Sequence, residues 1–418
     1  MESASGIASH GYIGNDDMES HGALRTHESF NSRQHSMSGR RSSGSWRRSS
    51  RVSDDVQSEI DAKSGDIGDW AVTEEGHDAV STSALEQEKD VQKPVPKLLL
   101  YVSSVAHLSV FGILGVLVRY LLQKLFGPSA ADITSDHSSL YLDLPSNMVG
   151  SFLMGWFGVV FKSSITQSSE FLAIGLTTGF LGSLTTFSGW NQKMLDLTVD
   201  GRWPSAAFGI LAGMMLAVSS IYFGVRVAEG LRGLLTQRGE IEIKWRVESL
   251  RSHAIVLTIM LLLLGILWGI SGVLLKSQLK HNHSISQLWL ACLVGPAGVW
   301  IRWRLARLNG KGLGRKHSFK WVPFGTLVGN ILAACIMAGL ATTKKAATTK
   351  RCHIIVNGLQ FGFLGCLSTV STFVAEFYAM CQSKHWWRAV MYSIITIVPS
   401  YVLGTLFYSV PVWVKGYK

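Results

Sequence analysis

The chain has 418 residues, 47% of them hydrophobic and only 16% charged, with 42 glycines and a mean hydropathy of +0.24. Soluble domains carry about 25% charged residues, which argues against an ordinary cytosolic enzyme. The formal charge of +11 hides two polymers: residues 1–92 hold 17 acidic and 9 basic residues, net −8, and residues 93–418 hold 11 and 30, net +19.

Residues 1–94 are rich in Ser, Gly, Asp, Glu and Arg and poor in apolar runs. Such a segment buries too little surface to offset its ordering entropy, so a disordered cytosolic tail is expected. No charged n-region leads into an apolar run, so no secretory signal peptide is expected. Serines follow paired arginines between Arg40 and Ser50, which reads either as a basic-directed phosphorylation region or as a solvated tail. The five cysteines form no CxxC pair and lie mostly in apolar runs. They read as small apolar residues with free thiols.

Apolar segments then follow at about 97–122, 145–161, 170–190 and 204–225. The clearest is Ala254 to Leu275, with no Asp, Glu, Lys or Arg. At about 1.5 Å per residue it covers the hydrocarbon core of a bilayer. Four more lie at about 287–305, 321–341, 353–381 and 388–413, making nine spans. A soluble helical bundle would need a polar outer face, and these segments have none. Basic residues at 226–251 and 302–320 place both loops in the cytosol, with the tail. The acidic 123–144 loop is then outside. Lys344, Lys345, Lys350 and Arg351 would also lie outside, against this orientation, and so would the Asn282 sequon.

The sequence repeats itself at one offset, 183. Gly112–Tyr120 recurs as Gly295–Trp303, Asn147 as Asn330, and Gly175–Ser188 as Gly358–Ser371. The fold expected is an all-α membrane protein: two inverted four-helix repeats joined by a single linker transmembrane helix. Its parts are the tail 1–94, a first repeat 95–226, a basic linker with its helix 227–276, and a second repeat 277–418. An odd number of spans between the repeats makes them antiparallel, a layout that commonly holds an ion or solute site near the midplane.

The segment Gly179–Ser188 is a poor continuous helix, because glycine and Thr/Ser compete with helical hydrogen bonding. Freed carbonyls at membrane depth suit either a dehydrated monovalent cation on the pseudo-two-fold axis or a close packing seam. Asn147 and Asn330 put amides into apolar spans, where an N–H group could donate to an anion without trapping it, or bind helices together. Arg119 and Arg302 read as snorkelling residues near span ends. Tyr392, Thr396 and Ser400 stack on one helical face, and the fourth span best matches them with Phe208, Ala212 and Leu216, at offset 184. A hydroxyl ladder in one repeat only argues for a single working path.

These residues together resemble the fluoride channels, specifically the fused eukaryotic fluoride exporters, over about 95–415. The resemblance implies a passive, selective channel that exports cytosolic fluoride and protects against its toxicity. It also implies a structural sodium ion, held by the backbone carbonyls of Gly182, Thr185, Gly365 and Ser368. The pore asparagine maps to Asn147 and Asn330. The family's paired phenylalanines map to Phe187 with Trp190 and to Val370 with Phe373, so Phe187 with Phe373 implies one intact pore and Trp190 with Val370 a vestigial one. The glutamate after the break maps to Glu376, with Lys193 in its place in repeat one. The implied partners are fluoride and a lipid bilayer, with no nucleic acid. A monomer is implied because both repeats share one chain, and the implied location is the plasma membrane. No ATP-site pattern and no convergent nucleophile–base cluster points to an enzyme. The alternative is a proton-coupled anion antiporter, which would place an essential proton on Glu376.

Overall fold

The computed structural model describes residues 96–237, 250–279, 283–312, 319–347 and 349–417. The tail with its arginine–serine stretch, the Asn282 sequon and the middle of the basic linker lie outside them. Among the described residues eight helices are long and apolar enough to cross a membrane, and the bent pair that begins at Leu144 makes a ninth span. In order they are α1 Lys97–Phe126, α2 Leu144–Val160, α3 Glu170–Val199, α4 Trp203–Gln237, α5 Leu250–Gln278, α6 Ile285–Ala306, α7 Phe324–Ala346, α8 Lys350–Cys381 and α9 Trp387–Lys415. After α2 the chain bends by 67° into the short helix Lys162–Ser168. The helices α1–α4 form repeat one and α6–α9 repeat two. The linker α5 packs on α1 and α6, the first helix of each repeat, and turns Leu262, Ile266 and Val273 outward, as a lipid-facing helix does.

Helices approach closely where glycine removes the side chain. A Cβ on Gly224 of α4 would overlap the Phe152 carbonyl of α2, and one on Gly298 of α6 would overlap the Phe363 carbonyl of α8. Lipid gives helices no hydrophobic reason to associate, so backbone proximity carries the packing.

The third span of each repeat is broken. In α3 a π-helical stretch Gly175–Leu181 and one turn Gly182–Leu184 end at Thr185, which is extended, and helix resumes at Phe187. In α8 the same sequence of events runs through Leu359–Leu364 and Gly365–Leu367 to an extended Ser368, with helix again from Ser371. The second halves cross over: Phe187–Val199 packs on α7 and α9 of repeat two, and Ser371–Cys381 packs on α2 and α4 of repeat one. The two repeats are interlocked rather than set side by side.

Candidate ion pathway

The breaks meet at the centre and cap each other. The Thr185 hydroxyl accepts from the amides of Val370 and Ser371 at 3.2 and 3.1 Å, the first of the helix restarting in the other repeat. The Ser368 hydroxyl accepts from Ser188 N at 3.0 Å, reciprocally. Helix N-termini leave amides without partners, and here the opposite repeat supplies the acceptor. Asn147 and Asn330 hold each break from beside it. Asn147 Oδ1 accepts from Thr186 N at 2.8 Å and its Nδ2 donates to Thr186 O at 3.2 Å. Asn330 makes the same pair with Thr369, at 2.8 and 3.1 Å. Both side chains therefore brace the backbone rather than standing unpaired. Asn147 spends a further N–H on Tyr141 Oη at 3.1 Å; among the described residues Asn330 has no such partner.

Arg119 and Arg302 are not at the membrane surface. They are 1% and 5% exposed, and their guanidinium groups lie against Gly365 and Gly182 respectively, where any Cβ would overlap them. Arg302 donates to Cys366 O at 2.7 Å and to Thr178 O at 2.9 Å, one carbonyl from each repeat. Arg119 donates to Phe361 O at 2.5 Å and sits 4.4 Å over the Phe361 ring. The first halves of α3 and α8 end here, so their unsatisfied carbonyls and negative dipole ends compensate buried cations that hydropathy alone would push outward.

Beside the breaks, aromatic rings and hydroxyls gather in a buried cluster, the candidate lane. Phe187 and Phe373, from opposite repeats, stand 6.1 Å apart at 66°, and Phe373 is 5.2 Å from Tyr392. Tyr392, Thr396 and Ser400 are buried on one face of α9. Their protons are committed in this conformation: Tyr392 Oη donates to Glu376 Oε2 at 2.7 Å, Thr396 to Tyr392 O at 2.8 Å and Ser400 to Thr396 O at 2.7 Å. Asn191, which the sequence did not single out, continues the ladder from α3, with Nδ2 donating to Ser400 O at 3.4 Å.

The equivalent lane is filled. The buried face of α4 carries Gly209, Gly213 and Ala217, which stand at the repeat offset from Tyr392, Thr396 and Ser400. Phe208 is exposed, so the match at offset 184 is out of register by a single position, although the face is apolar either way. The missing side chains leave room for Trp190, whose ring would meet a Cβ on Gly213. Its Nε1 donates to Gly209 O at 3.2 Å and it stacks on Tyr141 at 6.2 Å and 8°. Glu376 is not alone as a carboxylate within the spans: α3 takes in Asp196, which accepts from Gln192 at 3.1 Å.

A family model described as CrcB-like protein, Camphor Resistance (CrcB), matches this chain twice, over residues 106–225 and 289–408. The chain belongs to this family. The second match is the first displaced by the offset of the internal repeat, from 106 to 289 and from 225 to 408. Similar proteins include the fluoride-specific ion channel FluC of Geobacter metallireducens, 35% identical over 128 residues, 31% of this chain and 98% of that protein. Fluoride export protein 1 of Saccharomyces cerevisiae is 24% identical over 377 residues, 77% of this chain and 96% of the yeast protein. The bacterial relative thus spans one repeat and the yeast relative both. No solved structure matches the chain.

Proposed function

We propose that the chain is a passive, selective fluoride channel that exports cytosolic fluoride and protects the cell from it, with one conducting lane and one vestigial lane. The observation that carries the reading is the lane itself: Phe187 and Phe373 in a T-shaped contact beside Tyr392, Thr396 and Ser400, in a chain whose relatives bear fluoride in their names. Fluoride is small and strongly hydrated, so its pore must replace water with donors and the positive edges of rings. Ring edges and hydroxyls do so without a fixed cation in the lane that would hold the ion too tightly. Thr396 and Ser400 meet the ion by turning a hydroxyl away from a backbone acceptor that is already hydrogen-bonded within the helix. Asn330 offers its uncommitted N–H. An inside-negative potential then drives the anion outward by about 2.3 kcal/mol per 100 mV.

The carbonyls of Gly182, Thr185, Gly365 and Ser368 are where we place a sodium ion. Thr185 and Ser368 are extended at the break, and among the described residues their carbonyls receive no hydrogen bond. The guanidinium groups against Gly182 and Gly365 make a single charge the acceptable one. Such an ion would lower the electrostatic barrier for an anion nearby. We place the chain in the plasma membrane as a monomer, with the tail cytosolic.

The test is fluoride efflux from liposomes holding the purified protein, with a potassium ionophore setting the voltage and chloride as comparison. Fast, voltage-driven fluoride loss with little chloride loss, abolished by Phe373→Ile, is the expected result. Efflux that stalls without a proton gradient and is lost in Glu376→Gln would make the protein an antiporter instead.

A further inference from the structure

Glu376 is held by three donors, and two of them lie outside everything assigned above. Tyr392 donates to Oε2, and Thr326 Oγ1 donates to Oε1 at 2.6 Å. The third is Asn309, whose Nδ2 donates to Oε1 at 3.2 Å. Asn309 follows α6 in a tight turn in which Gly310 takes φ 74°, and its side chain is buried. Its other end is also engaged: Oδ1 accepts from Gly325 N at 2.7 Å and Thr326 N at 3.4 Å. These are orphan amides at the start of α7, whose cap position is Pro323 and has no side-chain acceptor. One carboxamide thus caps α7 from the turn that ends α6 and hands its N–H to the carboxylate on α8.

The cluster occurs once. At the repeat offset, Asn309, Thr326, Glu376 and Tyr392 correspond to Phe126, Asp143, Lys193 and Gly209, so repeat one keeps no member of it. It is therefore tied to the lane with the hydroxyl ladder and not to the architecture that both repeats share.

We propose that Asn309 is a positioning residue for the conducting lane: it fixes the Glu376 carboxylate, and through it the Tyr392 hydroxyl, at the start of the ladder. This rests on the fluoride-channel reading. With Oε1 pinned by Asn309 and Thr326, Oε2 is aimed at Tyr392, and the Tyr392 ring stays beside Phe373. Without the Asn309 N–H the carboxylate can turn about its last bond, and the first rung loses its register.

Asn309→Asp tests this, because it keeps the acceptor for the α7 amides and replaces the donor facing Glu376 with a carboxylate oxygen. Efflux is expected to slow about tenfold at neutral pH and to recover on mild acidification, when one proton shared by the two carboxyls restores the bridge. Tyr392 is the titratable group that donates to this pair. The charged groups on neighbouring elements are engaged elsewhere or flank the turn: Arg307 stacks on Trp303, Arg388 on Trp321 and Trp387, and Arg226 pairs with Glu229, while Lys311 and Lys320 lie beside the turn in sequence. Combining Asn309→Asp with Glu376→Gln reverses donor and acceptor and is expected to conduct faster than either single variant. A merely structural role predicts neither the acid recovery nor the rescue. Asn309→Asp with wild-type flux, or slow at every pH with no rescue, overturns the proposal. If Asn309→Asp does not fold, Asn309→Ser, too short to reach Glu376, is expected to conduct slowly, and wild-type flux from it overturns the proposal equally. Wild-type protein that moves no fluoride would instead sink the functional reading itself. Protein-free vesicles at each pH correct for leak of the neutral acid.

Discussion

Replacing Thr185 with valine removes one oxygen and keeps the β-branched shape, so it isolates the cross-cap between the repeats. That oxygen accepts the Val370 and Ser371 amides and pairs with the Thr369 and Ser371 hydroxyls at 3.1 and 3.0 Å. All of these groups are buried. A buried donor left without an acceptor costs about 1–3 kcal/mol, so two orphaned amides cost about 2–6 kcal/mol. Ser368→Ala orphans one amide, that of Ser188, and is expected to cost about half as much. Thr185→Ser keeps the oxygen and deletes one buried methyl, which packs on Gly150, so it is expected to cost about 0.5–1.5 kcal/mol. The assay is thermal unfolding in detergent, followed by tryptophan fluorescence on all four proteins under one scan rate. The reasoning requires the order Thr185→Val below Ser368→Ala below Thr185→Ser. A Thr185→Val protein that melts with wild type would refute it, because the hydroxyl would then be idle or the amides would have found water.

The same geometry sets three further outcomes. Gly298→Ala drives a Cβ into the Phe363 carbonyl and is expected to destabilise by at least about 1–3 kcal/mol, whereas Gly269→Ala on the linker α5, with nothing within 4 Å of its added Cβ, is expected to be neutral or to stabilise by up to about 1 kcal/mol; equal melting of the two would contradict the close packing of α6 on α8. Arg302→Lys replaces a fork that reaches carbonyls of both repeats with a point charge that reaches one, and should lower stability by about 1.5–3 kcal/mol, while Arg226→Lys, in an exposed pair, should change it by less than about 0.5 kcal/mol. Asp143 lies in the loop before α2, where burial pushes its carboxyl up against the opposing pull of Arg119 and of the Gln123 hydrogen bond. The folded chain holds this proton more tightly than the unfolded one, so stability falls as pH rises from the ordinary carboxylate value through the raised one. Asp143→Asn should flatten that slope and melt above wild type at neutral pH but not in acid; a variant less stable at every pH would show that attraction to Arg119 dominates.

The spans were legible because long uncharged apolar runs have few other uses, and Ala254–Leu275 sits inside α5, Leu250–Gln278, as read. The break at Thr185 was legible because Gly, Thr and Ser together oppose helix. What a linear reading could not supply was what each polar group would meet. Arg119 and Arg302 look like interface residues to any hydropathy argument, since the carbonyls that hold them come from breaks elsewhere in the chain. Asn309 looks like a turn residue, and its role as a cap depends on Pro323 lacking an acceptor and on Glu376 arriving from α8. The register slip at Phe208 has a simple cause: the buried face of α4 is made of glycine and alanine, which carry no pattern to align.

Under the proposed reading of one conducting and one vestigial lane, that face also gives a physical reason for the difference between them. The crossed helices Phe187–Val199 and Ser371–Cys381 and the cross-caps at Thr185 and Ser368 are shared by both repeats, so neither can be discarded without unfolding the centre. The residues that distinguish the lanes are single side chains carried by those shared helices and by α4 and α9: Trp190 with Val370 against Phe187 with Phe373, Gly209 and Gly213 against Tyr392 and Thr396, Lys193 against Glu376. A separate four-span protein pairing with its own copy would have to carry every change in both lanes. A fused chain is free of that constraint, and here repeat one carries an indole packed on glycine where repeat two carries hydroxyls. Filling the lane with Trp190 also buries apolar surface where an abandoned polar channel would have left unsatisfied donors, at about 1–3 kcal/mol each. The filled side is on this view a packing solution, and in the proposed lane the hydroxyls of Tyr392, Thr396 and Ser400 each have a hydrogen-bond partner when no ion is present.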